Sequence, residues 1–203
     1  LRRQRQMCIR DRSQAFYKPF EKATGNQLIA GEYNGEMGRI KVMVDTDSVN
    51  WDVVQVEAPE LIRGCDEGMF EPLDAAQLGK AEDFVPGTFS ECGAGLLVWS
   101  MAMAYNSDKL SAAPTGWKDF WDVQKFPGKR SLRKSARGSL EFALMADGVA
   151  PGEVYKLLST PAGVDRAFAK LDQIKSSIQW WEAGAQPPQY LMAGDVVMSS
   201  AYN

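Results

Sequence analysis

Histidine is absent from the 203 residues. That removes the usual general base, the Ser-His-Asp and Cys-His arrangements and most zinc sites together. A Ser-Lys or paired-carboxylate enzyme stays open on this ground alone. No apolar run reaches the eighteen or so residues of a membrane-spanning helix. No basic stripe with interleaved aromatics occurs in the body of the chain, so nucleic acid is not an expected partner. Cysteine is scarce: Cys8, Cys65 and Cys92 are the only three. Internal repeats and low-complexity tracts are also missing.

What is present is ordinary globular composition, 45% hydrophobic and 24% charged, with a formal charge of −3. The first twelve residues stand apart. They carry Arg2, Arg3, Arg5, Arg10 and Arg12, with almost nothing apolar. A secretory leader would follow its basic stretch with an apolar one, and none follows. The segment reads either as a basic arm for an anionic surface or as foreign sequence joined to the gene, and Met7–Arg12 favours the second. It is set aside from the fold argument. The remaining body is acidic, as suits a receptor for cations. Cys65 and Cys92 each sit among polar loop residues; a disulfide between them is expected, with two free thiols as the alternative. A bridge would require an oxidising compartment.

From Ser13 onward, helical and strand-like patterns alternate. Helices are expected at Ser13–Ala23, Gly35–Val44 (with Asn34 as N-cap), from Pro59 to near Gly68, and at Trp117–Val123, Gly138–Ala146, Gly152–Leu158, Ala162–Lys175 and Pro188–Ala193. Strands are expected at Gln27–Ala30, Trp51–Val56, Gly95–Tyr105, Lys129–Arg133, Ser177–Trp181 and Val196–Ser200. The alternation argues an α/β fold with mostly parallel sheets. Ending on a strand without its covering helix, the chain is expected to be truncated at both ends.

In such sheets ligands gather at the carboxyl ends of strands. The residues that follow each expected strand are therefore the candidates: Glu57, Tyr105 and Asn106, Lys134 with Ser135 and Arg137, Trp181 with Glu182, Gly184 and Gln186, and Tyr202 with Asn203. The set is rich in aromatics, amides and carboxylates and holds no nucleophile–base pair. Such a lining suits binding.

Several stretches, taken in order, carry a resemblance: Phe16-Tyr17-Lys18-Pro19-Phe20-Glu21-Lys22-Ala23-Thr24-Gly25, Trp51-Asp52-Val53-Val54, Ala104-Tyr105-Asn106, Trp117-Lys118-Asp119-Phe120-Trp121, Phe126-Pro127-Gly128-Lys129 and Ala193-Gly194-Asp195-Val196. The chain resembles the periplasmic spermidine/putrescine-binding proteins of ABC importers from about Ala15 to its end. The resemblance implies a two-lobe, type II-like periplasmic binding fold. Residues 13–104 would form part of the first lobe and 105–203 part of the second, hinged about a ligand. It implies no catalysis, cofactor or metal. It implies capture of a small amine, a polyamine of the spermidine/putrescine kind, in the periplasm by a monomer that delivers it to ABC permease membrane subunits.

The same comparison puts Tyr202 at a pocket aromatic and Trp181 and Glu182 on a pocket-facing loop. An amine site of this kind needs an apolar wall for the methylenes and a carboxylate for each desolvated ammonium. Glu182 is the nearest carboxylate, though it reads equally as a solvated loop acid. Glu91 faces the cleft or flanks the cysteines, and Arg137 is a surface charge at a helix start or a contact for a ligand carboxylate. Trp180 and Trp181 point opposite ways along a strand, so one of the two belongs to the core. Where the family carries its second-lobe acidic pair, this chain has Ser135 and Gly138, with Arg133, Lys134 and Arg137 close by. That departure opens an alternative to a polyamine: a smaller or zwitterionic amine of the gamma-aminobutyrate kind. An enzyme or a regulator's effector domain on the same scaffold is the further alternative.

Overall fold

A computed structural model of the chain describes residues 13–31 and 37–203. Residues 1–12, including Cys8, and Asn34 with its expected capping role lie outside the described residues. Two compact units emerge, one from Tyr17 to Val98 and the other from Trp99 to Asn203 together with Ser13–Phe16. Among the described residues no helix is long and apolar enough to cross a membrane, and no cluster of acidic and cysteine side chains is arranged to hold a metal.

The unit of Tyr17–Val98 is mainly helical. A wide turn at Ser13–Tyr17 leads into α1 (Lys18–Thr24). Gly25 ends α1 at a φ of 76°, a conformation in which a side chain is strained, and its N–H returns to the Glu21 carbonyl. Next come α2 (Met37–Asp45) and α3 (Ala58–Asp66), which Pro59 starts by occupying a position whose N–H has no helical partner. A short turn of helix, α4 (Ala75–Leu78), is capped by the Asp74 carboxylate on the Ala76 N–H. The hairpin of β1 (Phe89–Ser90) and β2 (Gly93–Ala94) follows. Met37, Ile40 and Met69 are buried together, with Trp51, Val54, Val56 and Phe70 packed around them.

Two expected strands in this unit are not strands. Gln27–Ala30 and Trp51–Val56 join no sheet among the described residues, and Ile29 and Val53 are 92% and 90% exposed. Apolar content marks a segment able to enter a sheet; only a neighbouring backbone makes it one.

Cys65, at the end of α3, is bonded to Cys92, in the turn of the β1–β2 hairpin, with Cα atoms 5.8 Å apart. The bridge closes a loop with a sequence separation of 27, which in the chain-entropy account stabilises by about 3–4 kcal/mol. Thiol labelling of the denatured, unreduced protein is expected to find Cys8 reactive and Cys65 and Cys92 protected. Reduction should then expose both. Equal labelling of all three before reduction, in protein exported to an oxidising compartment, would contradict the bridge.

The unit of Trp99–Asn203 is a four-stranded sheet with helices against it. Its strands are β3 (Met101–Tyr105), β4 (Arg130–Arg133), β5 (Ile178–Trp181) and β6 (Met198–Tyr202), in the order β3-β6-β4-β5. The helices are α5 (Trp117–Trp121), α6 (Ala136–Ala146), α7 (Val154–Leu158), α8 (Pro161–Asp172) and α9 (Gln186–Ala193). β4, β5 and β6 run parallel, while β3 is antiparallel to β6. The long strand expected over Gly95–Tyr105 is therefore shorter, and the sheet is mixed. Phe120, Phe126, Leu132, Phe142, Leu144 and Met198 are among the buried core residues beneath it.

Arg130 is fully buried at the start of β4. Its guanidinium donates to the carbonyls of Phe120 (2.9 Å), Asp122 (3.0 Å) and Gly128, so that α5 and the Phe126-Pro127-Gly128 turn are tied to the sheet. Burial holds its pKa below the ordinary arginine value.

Asp147, just past α6, accepts from Arg166 Nε at 2.7 Å, and Lys170 of α8 lies 3.4 Å away. The Arg166 hydrogen bond foremost lowers the carboxyl below its ordinary 3.8. A group depressed on folding contributes stability that is complete above its unfolded pKa and is lost as pH falls through the folded one. Asp147→Asn is therefore expected to lower the melting temperature at neutral pH. The difference from wild type should shrink as pH falls below 3.8; thermal melts across that range check it.

Candidate functional site

Because β4, β5 and β6 are parallel, their carboxyl ends share one edge, which presents Arg133, Trp181 and Tyr202. β3 runs the other way and brings its start to this edge, with Met101 opposite Tyr202. Tyr105 and Asn106, expected among the pocket residues, are thereby placed at the opposite edge. There Asn106 is tied down by its N–H to the Val197 carbonyl and its Nδ2 to the Leu191 carbonyl.

Three aromatic side chains meet at the edge. Tyr202 packs edge-on against Trp99 (centroids 4.9 Å apart, 88°) and against Trp181 (5.6 Å, 76°). Trp181 is completely buried, and its Nε1–H donates to Ser200 Oγ at 3.1 Å. It supports the Tyr202 ring from below. Trp180 is the more exposed of the pair, at 40%. The Arg133 guanidinium lies 5.9 Å from the ring centres of both Trp181 and Tyr202, within cation–π range of each. The loop after β5 closes on the same ring: a Cβ at Gly184 would come within 3.0 Å of Tyr202 Cδ2. That loop is held by Gln186, whose Oε1 accepts from the Glu182 and Ala183 N–H groups at 2.8 and 2.7 Å.

Charge at this edge is weighted toward cations. Arg133, Lys134 and Arg137 gather within five positions. Glu182 is 69% exposed and pairs with Lys134 at 3.0 Å, so its carboxylate is solvated and already matched. Glu141 accepts from the Gly138 N–H at 2.8 Å and caps the regular part of α6. Arg137 and Gly138 depart from helical geometry inside α6, with Gly138 at a φ of 83°, which turns Arg137 toward an adjoining cavity of about 350 Å³. Trp99, Met101, Phe142 and Tyr155 wall that cavity, and Arg137 and Glu141 are its charged lining residues.

Of the residues expected at the site, Tyr202 and Trp181 are in direct ring contact, and Glu182 and Arg137 follow neighbouring strand ends. Glu91 belongs to the Tyr17–Val98 unit, exposed in the hairpin turn beside the disulfide, its carbonyl accepting from the Leu73 N–H. Sequence reasoning missed Trp99. Its place depends on β3 running antiparallel, for which no local signal exists. The stacking role of Arg133 was also missed, although its position at a strand end was visible.

A mixed α/β sheet edge lined by aromatic rings and arginines is a candidate small-molecule binding site. The chain belongs to the bacterial extracellular solute-binding protein family, whose model matches residues 15–203. It is 66% identical over 190 residues to the gamma-aminobutyric acid-binding protein of Pseudomonas aeruginosa, covering 94% of this chain and 54% of that protein. The solved Atu4243-GABA receptor superposes with a TM-score of 0.83 at 36% identity, over 94% of this chain and 58% of that one. The spermidine/putrescine-binding protein of Streptococcus pneumoniae superposes with a TM-score of 0.69 at 18% identity, over 92% and 58%, a likeness of fold alone. These solved relatives have the two-lobe periplasmic binding fold expected from sequence. This chain spans little more than half the length of the relatives it matches.

Proposed function

We propose that the chain is the ligand-capturing part of a periplasmic receptor for a small zwitterionic amino acid of the gamma-aminobutyrate kind, delivering it to an ABC permease without catalysis. One observation carries the choice of ligand. The cation nearest the aromatic cluster, Arg133, sits against both Trp181 and Tyr202, whereas the carboxylates at the same edge are engaged by Lys134 and by the start of α6. A diamine needs a carboxylate for each ammonium; a carboxylate-bearing ligand needs a guanidinium, which binds it bidentately. The polyamine expected from the resemblance therefore gives way to the zwitterionic alternative, the direction in which the 66% identical relative also points.

The test is calorimetric titration of a chimera in which this sequence replaces the matching part of the Pseudomonas aeruginosa relative. Gamma-aminobutyrate should bind and putrescine should not. Saturable putrescine binding with gamma-aminobutyrate silent would overturn the reading.

A further inference from the structure

The cavity beside the aromatic cluster is larger than a four-carbon amino acid requires. At about 350 Å³ it falls within the range that small organic ligands occupy, roughly 300–1,000 Å³. Its wall is continuous with the site: Trp99 packs on Tyr202 and lines the cavity as well. Apart from Arg137 and Glu141, the side chains of the rest of the wall are apolar or aromatic. Phe142 is stacked on Trp117 at 3.6 Å between centroids, which fixes it from behind. Met101 meets Gly138, where a Cβ would come within 3.0 Å of the Met101 sulfur, so the positive φ and the missing side chain of Gly138 together keep this floor open. Arg137 adds a cation to the lining and Glu141 a carboxylate, which is engaged by the Gly138 N–H at 2.8 Å.

We propose that this cavity is an aryl- or alkyl-accepting subsite. It extends the ligands of this protein from the plain omega-amino acid to amino acids and carboxylates that carry an apolar ring or branch. The substituent lies against Trp99, Met101 and Phe142, and the carboxylate meets the cationic strand ends. The extended class rests on the zwitterion reading above, but the cavity itself can be probed without an amine.

Three probes separate the two. The full 203-residue chain is titrated by calorimetry with gamma-aminobutyrate, beta-phenyl-gamma-aminobutyrate and phenylbutyrate. The variants are Tyr155→Ala, which removes an exposed wall, and Met145→Trp, which fills the space from the same wall. The phenyl amino acid is expected to bind at least tenfold tighter than gamma-aminobutyrate, and phenylbutyrate to bind measurably. Both variants should reduce the phenyl gain several-fold and leave gamma-aminobutyrate unchanged; should Met145→Trp misfold, Tyr155→Ala decides alone. Binding of gamma-aminobutyrate with no gain from the phenyl group, or a gain indifferent to the variants, overturns the subsite and leaves the zwitterion reading standing. Variant-sensitive phenylbutyrate binding without gamma-aminobutyrate binding supports the subsite and counts against that reading. No binding by any of the three overturns the subsite.

Discussion

Arg130→Ala is expected to destabilise the Trp99–Asn203 unit by about 2–4 kcal/mol, from the loss of hydrogen bonds donated by a charged group together with the space its side chain leaves. The guanidinium is fully buried and donates to three backbone carbonyls, those of Phe120, Asp122 and Gly128. Truncation removes all three donations at once; the buried Phe120 carbonyl loses its guanidinium donor at about 1–3 kcal/mol, while the half-buried Asp122 carbonyl keeps the Phe126 N–H at 3.0 Å and so contributes less. It also opens a cavity next to Phe120 and Phe126, both of which are core residues. Arg130→Lys keeps the charge but cannot reproduce the planar fork, so it should recover only part of the loss. Urea unfolding followed by tryptophan fluorescence measures both variants. A loss under 1 kcal/mol for Arg130→Ala would show that water or a neighbour replaces the guanidinium.

The sequence made the helices and the three parallel strands of this unit legible, because each carries its own local signal. Pro161 and the Thr160 hydroxyl start α8, the latter accepting from the Gly163 N–H at 3.1 Å. Gly194, at a φ of 75°, stops α9. Pairing is not local. The direction of β3 depends on β6, roughly a hundred residues away, and it decides whether Trp99 or Tyr105 reaches the site. Trp51–Val56 shows the same gap from the other side: a β-branched run of strand length that no described strand pairs with. Tyr202 and Trp181 are legible as candidates because both stand at the carboxyl ends of strands readable by themselves. The engagement of Glu182 by Lys134 could not be read, since the two follow different strands and meet only through the parallel β4–β5 pairing.

That pairing also decides which substitution at the site should matter most. In the chimera, Arg133→Gln is expected to weaken gamma-aminobutyrate binding by about 1.5–3 kcal/mol, the worth of a hydrogen bond to a charged group. The affinity loss is then roughly 10- to 150-fold. The guanidinium is held against the Trp181 and Tyr202 rings, so it is oriented before a ligand arrives and loses little freedom on binding. Arg133→Lys should not restore affinity, because an ammonium offers neither the stacking plane nor two parallel donors. Tyr202→Ala should cost less, about 1–2 kcal/mol, by removing an apolar wall and one cation–π partner. Glu182→Gln should change affinity least, since its carboxylate is 69% exposed and already paired with Lys134. Calorimetric titration of the four variants, with circular dichroism to confirm the fold, gives the ranking. If Glu182→Gln proves the most damaging and Arg133→Gln is silent, the ligand's ammonium rather than its carboxylate is what this edge holds.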